Sequence, residues 1–113
     1  MAALAYDEAL AVRIRELVGQ ERHLTEQKMF GGLAFLINGN MSVAASGQGG
    51  VLLRVDPADG ERLRAMGAKA MVMRGRSMDG WLRVDADAVR TKRDLERWVK
   101  RGVDYAKSLP PKR

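Results

Sequence analysis

The sequence contains no cysteine and only one histidine, His23. Without cysteine the chain forms no disulfide and offers no thiolate ligand, which suits a reducing compartment such as the cytoplasm. A single histidine cannot build a multi-histidine metal site. We therefore expect a cytoplasmic protein that needs no metal and no cofactor.

Long apolar segments are also missing. The longest apolar run away from the first residues covers the five positions 33–37. A helix that crosses a bilayer needs about 20 apolar residues. The first residues show neither the positive charge nor the extended apolar core of a secretory signal. These absences predict a protein without membrane contact.

Catalytic patterns are scarce as well. Hydroxyl residues such as Ser42 lie in no nucleophile motif, and acids such as Asp56 occupy positions where a helix needs a cap. The histidine lies in a charged stretch that predicts a surface position. We expect that the protein is not an enzyme. Catalysis would require a deep polar pocket near Lys28, Arg54 or Arg74.

The net charge of +6 is concentrated at one end of the chain. Residues 1–89 carry eleven basic and eleven acidic side chains, whereas residues 90–113 carry nine basic and three acidic ones. A basic helix attracts phosphates or acidic partners, although most charged helix faces are simply solvated. Aromatic residues make up only 5% of the chain, so we expect any nucleic-acid binding to be weak. The candidate contact residues for nucleic acid or a protein partner are Arg93, Arg97, Lys100, Arg101 and Lys107.

The spacing of apolar residues predicts a helix near each end of the chain. Leu10, Ile14 and Leu17 recur at helical period within residues 6–19. Thr91 followed by Asp94 resembles a capping box that opens the last helix, and a pair of prolines ends it. The buried stripe of this helix is predicted to be Leu95, Trp98, Val99, Val103 and Ala106.

The middle of the chain predicts strands. An Asn-Gly pair at residues 38–39 is the strongest short hairpin signal, because a type I′ turn needs positive φ at both central residues. The alternative of an additional short edge strand over residues 25–29 stays open. The three predicted strands of the meander are residues 33–37, 41–45 and 51–55.

A short helix and a second β region follow. Asp56 and Pro57 suit the start of a helix that ends at Gly67. Residues 70–84 form the second β region, with its turn at either Gly75 or Gly80. The order α-β-β-β-α-β-β-α predicts an α+β fold, a two-layer sandwich with helices on one face of an antiparallel sheet, as a single domain over residues 1–113.

One short segment resembles a known family. Lys28, Met29, Phe30, Gly31 and Gly32 form a Lys-Met-Phe-Gly-Gly motif after the first helix, and Gly39 follows in the next turn. This arrangement resembles the N-terminal domain of the TfoX/Sxy competence regulators. The resemblance covers nearly the whole chain and implies a compact α/β domain with an antiparallel sheet. It implies a stand-alone copy without the regulators' second domain, and it supplies no catalytic residues.

We interpret the motif as structural. Tandem glycines permit positive φ and close backbone approach, with Phe30 as a core anchor. The alternative is a glycine loop that presents N–H groups and Lys28 to an anion. A phosphate loop would need a longer pattern followed by a helix, and here a strand follows.

The second β region is rich in methionine, with Met71, Met73 and Met78 near Trp81. Methionine is an adaptable core filler and also suits a deformable contact surface. We expect a non-enzymatic regulatory or protein-interaction module with a protein partner, self-associating as a homodimer through an exposed sheet edge or this hairpin. The alternative is a nucleic-acid-binding protein that uses the basic last helix.

Overall fold

The computed structural model describes residues 6–29 and 31–112. Neighbouring strands are all antiparallel, in the order β1-β2-β3-β4-β6-β5. The predicted fold class and element order are confirmed, and the edge strand left open by the sequence is β1. The elements are α1 Glu8–Val18, β1 Leu24–Met29, β2 Gly32–Ile37, β3 Asn40–Ala45, β4 Val51–Arg54, α2 Gly60–Ala65, β5 Lys69–Met73, β6 Arg76–Val84 and α3 Lys92–Ser108, with short 3-10 turns at Pro57–Asp59 and Ala86–Val89.

The two long helices begin at side chains that accept hydrogen bonds from free backbone N–H groups. Thr91 Oγ accepts from the N–H of Asp94 at 3.1 Å, as the capping pattern predicts. The Asp7 carboxylate accepts from the N–H of Leu10 at 3.2 Å. Both caps fix where a helix starts.

Two hairpins turn through residues with left-handed backbone. Asn38 and Gly39 have φ of 54° and 79°, as a type I′ turn requires. Arg74 and Gly75 have φ of 52° and 77°, so the second β region turns at Gly75. Gly80 also has positive φ, but it lies inside β6, where the strand carries extra residues opposite β5.

The sheet is apolar on both faces. One face packs against all three helices, with core residues such as Phe35, Val43 and Leu53. Among the described residues, the apolar cluster on the opposite face is built from strand residues alone. We call this opposite surface the open face. Its cluster consists of Met29, Ala34, Leu36, Met41, Ala44, Leu52, Met71, Met78 and Trp81.

Helix α3 approaches β3 closely at a bulge. The pairing of β2 with β3 shifts between Phe35 and Leu36, which leaves Ser42 as an extra residue. Ser42 is fully buried, and its Oγ donates to the carbonyl of Phe35 at 2.7 Å. Gly102 of α3 packs directly against the Ser42 carbonyl, and a Cβ atom at position 102 would overlap the carbonyl oxygen. The close approach of the two layers therefore requires glycine here.

Gly102→Ala should destabilise the protein, although alanine favours a helix interior by about 1 kcal/mol. Overlap with the Ser42 carbonyl should cost about 1–3 kcal/mol and outweigh that preference. Urea unfolding followed by circular dichroism measures the difference. Gly60→Ala in α2 is the matched control, because no atom lies within 4 Å of the added Cβ. Unchanged stability of Gly102→Ala would contradict the packing described.

Candidate functional site

The Lys-Met-Phe-Gly-Gly motif forms the hairpin between β1 and β2. Met29 pairs with Gly32, and Gly31 lies in the turn with φ of 73°. Lys28 is exposed on β1, opposite Leu33. Phe30, expected to be a core anchor, lies outside the described residues. The motif therefore marks a turn at the edge of the sheet.

The glycines of this motif bring two loops together. A Cβ atom on Gly32 would overlap the carbonyl of Ala45 in β3, and one on Gly47 would overlap the carbonyl of Gly31. Gly39, the last motif residue, packs its backbone against that of Lys112. These approaches favour the structural interpretation of the motif over an anion loop.

The open face surrounds a cavity of about 400 Å³. Met29 of edge strand β1 and Met71 of edge strand β5 both line it. Because these strands are at opposite ends of the sheet, the sheet must curl around this face. Met71 and Met78 pack there with Trp81, as the methionine pattern indicated; the side chain of Met73 lies outside the described part of the chain.

A second hollow of about 550 Å³ lies on the same face, beside Arg54. The Arg54 guanidinium carbon lies 5.6 Å from the ring centroid of Trp81 and 5.8 Å from that of Tyr105. Among the described lining residues, Thr25 carries the only hydroxyl and none carries a carboxylate or imidazole. The lining of this hollow thus combines apolar side chains with two cations, Arg54 and Lys112. Arg74 is exposed in the β5–β6 turn, away from this hollow.

Arg83 is the residue of the open face that sequence analysis missed. It lies in β6, opposite Leu52 of β4, and lines the 400 Å³ cavity. Its Nε atom is buried, and no described residue accepts a hydrogen bond from it. The sequence signal for this face was the apolar run in β2. A strand that is buried on both faces implies that both faces of the sheet are packed.

The basic residues of α3 are solvent-facing, as predicted, but most are engaged. Arg101 Nη2 lies 3.9 Å from the sulfur of Met66, and Arg93 is exposed. Surface pairs of this kind are weak, yet they dilute the positive face. The nucleic-acid hypothesis stays a prediction. Three of the five cations form ion pairs: Arg97 with Asp94 at 3.6 Å, Lys100 with Asp104 at 2.7 Å and Lys107 with Glu21 at 3.1 Å.

The two sheet edges differ in charge. On β1, Glu26 accepts two hydrogen bonds from Arg15 at 2.6 and 2.8 Å, which hold the pKa of its carboxyl below the ordinary value. On β5, the only charged residue is Lys69, whose donation to Asp85 at 2.6 Å lowers the pKa of that carboxyl. The remainder of β5 is uncharged, and its Val72 is 59% exposed.

Residues 6–29 and 31–112 contain neither a metal-binding cluster nor a membrane-spanning helix. No cluster of three or more histidine, aspartate or glutamate side chains there is arranged to hold a metal ion. In the same part of the chain, no helix has the length and apolar character needed to span a membrane.

A family model, that of the TfoX N-terminal domain, matches residues 15–106. The chain belongs to the TfoX N-terminal domain family. The matched segment begins within α1 and ends within α3, so it includes all six strands and the motif at residues 28–32. The resemblance found in the sequence is thereby confirmed. A search of curated proteins finds no similar sequence.

Within this TfoX-type domain, Gly32→Ala should lower the free energy of unfolding by about 1–3 kcal/mol, because the new methyl group meets the Ala45 carbonyl. Lys28→Ala should change it by less than about 0.5 kcal/mol, since the side chain is exposed. Thermal and urea unfolding measure both. Comparable losses for the two variants would show that the motif does more than close the hairpin.

The Arg15–Glu26 pair should make stability depend on pH. Because the folded state lowers the pKa of Glu26, the pair stabilises the protein above the ordinary glutamate pKa of about 4.3, and this contribution is lost as pH falls through the lowered value. Glu26→Gln should therefore cost less than about 1 kcal/mol at pH 7. Urea unfolding of both proteins from pH 7 downwards should show the difference shrinking. Glu16→Gln, an exposed α1 control, should cost little at pH 7; a pH-independent Glu26→Gln difference would contradict the assignment.

Proposed function

We propose that the chain is a non-enzymatic regulatory module of the cytoplasm that associates with a second copy of itself through the free edge of β5. Membership of the TfoX N-terminal domain family supports the regulatory role, and the absence of cysteine supports the compartment. The observation that carries self-association is the exposed edge of β5, which carries no charge after Lys69.

The chemistry of β5 favours strand pairing. It is the last strand of the sheet, so the backbone groups on its outer side have no partner strand. Such rows of N–H and C=O groups template pairing with another chain. The extra residues of the irregular pairing between β5 and β6 belong to β6. Val72, 59% exposed, adds apolar surface at the same place.

The opposite edge provides the contrast. Strand β1 carries Glu26 and Lys28, both exposed, and charged side chains on an edge strand oppose pairing with another sheet. Strand β5 has no charge after Lys69. A twofold pairing of β5 with β5 would join two sheets into one, in a contact that uses the same surface of both copies.

Val72→Lys should convert the dimer to a monomer, because it places a charge on each side of the contact. Size-exclusion chromatography with light scattering measures the mass across a range of concentrations. Val12→Lys is the matched control, since Val12 is 43% exposed on α1, away from the sheet edge. It should leave the dimer intact. A wild-type protein that is monomeric at every concentration, or a Val72→Lys dimer, would refute self-association through β5.

A further inference from the structure

The cavity of the open face combines an apolar wall with one cation, the half-buried Arg83. Its apolar wall includes Met29, Leu52 and Met71. The polar part comprises Ser46, Gln48 and Arg83. Its volume, about 400 Å³, falls in the range of small-molecule sites, which are mostly apolar with a few placed polar groups.

Arg83 lines this cavity, and its side chain carries an unused donor. Its Nε is buried, and no described residue accepts from it. Burying a charged donor without an acceptor is unfavourable unless something else satisfies it. Arginine presents its Nε–H and one terminal N–H as a planar fork that matches the two oxygens of a carboxylate. The Arg83 guanidinium is therefore suited to an anion with that geometry.

No described carboxylate of the protein fills this role. None of the described residues that line the cavity is acidic. Asp85 lies close enough for Arg83 to contribute to lowering its pKa, but its carboxylate accepts a hydrogen bond from Lys69 at 2.6 Å. The cavity is thus left with a positive charge and an apolar wall, which complement a negative head on an apolar chain.

We propose that this cavity binds a small organic monocarboxylate with an unbranched apolar chain. The carboxylate accepts hydrogen bonds from Arg83, and the chain lies against Met29, Leu52 and Met71. The Ser46 hydroxyl accepts from the N–H of Gln48 at 3.1 Å, which leaves its own proton free to donate to the ligand. A single lining cation fits one negative charge better than the two of a phosphate.

The methionines allow the wall to adapt to the chain. Their unbranched thioether side chains change rotamer easily and fill irregular space. Every residue of the site comes from one copy of the protein, so the inference does not rest on self-association. The two proposals therefore fail separately: one is decided by the mass in solution and the other by titration.

Isothermal titration of the full chain with sodium hexanoate tests the site. Hexan-1-ol has the same chain without the charge, and hexylammonium has the opposite charge. We expect saturable, one-to-one binding of hexanoate and binding at least about tenfold weaker for the other two, because neither provides the charged acceptor for Arg83. No saturable hexanoate binding at millimolar concentration, or equal binding of the alcohol, would overturn the proposal.

Arg83→Met locates the interaction. It should weaken hexanoate binding at least about tenfold and leave that of hexan-1-ol unchanged. Arg76→Met is the matched control, because Arg76 is exposed on the same strand near the turn; its hexanoate affinity should equal that of the wild type. Hexanoate binding by Arg83→Met at wild-type strength would overturn the proposal.

A spectroscopic measurement on the wild type covers the case in which Arg83→Met does not fold. The side-chain Nε–H resonance of Arg83 should shift progressively as hexanoate is added, and should stay in place with hexan-1-ol. An unchanged resonance under saturating hexanoate would refute contact with Arg83, whatever the behaviour of the variant.

Discussion

The contact between Gly102 of α3 and the carbonyl of Ser42 sets the distance between the two layers of this fold. Ser42 is the extra residue of a bulge in β3, in the interior of the sheet. A bulge bends its strand and increases the local twist, so the residue that receives the helix also helps to curve the sheet. The curvature is directed towards the open face, because Met29 and Met71, from opposite edge strands, line one cavity there. The close packing of α3 on one face and the cavity on the other face thus both depend on the bulge in β3.

The curled sheet explains why apolar residues of the open face are buried although no described helix covers them. The curled sheet also raises the free-energy cost of placing a charge on the open face. The cations of α3 lie in water beside carboxylates, where a positive charge costs little and contributes little. Arg83 holds its Nε away from water, and no described residue accepts from it; at such a position a missing partner is costly. A charge on α3 and the Arg83 guanidinium therefore differ in their electrostatic surroundings.

Local rules predicted most of the fold. The stripe of α3 follows from helical period, and the turn at Asn38 follows from the Asn-Gly pair. The choice between Gly75 and Gly80 could not be made, because both glycines adopt positive φ and the deciding turn places Arg74 in a conformation that arginine rarely adopts. The family motif was visible because it is contiguous. The cavity was not, because its walls come from strands that meet only once the sheet has curled. The apolar run of β2 held the available hint, since every residue of this strand is buried.

The methionines show why core filler and deformable surface are not alternatives here. Met71 is only 7% exposed, yet it is buried by the curvature of its own sheet and faces a cavity. Met29 and Met41 approach the same face from two other strands. Leucine or valine at these positions would fix one cavity shape, because branched side chains have fewer accessible rotamers. Thioether side chains can line a cavity whose shape must change with its contents. An apolar layer that the described strands complete by themselves thus becomes a lining that can adapt.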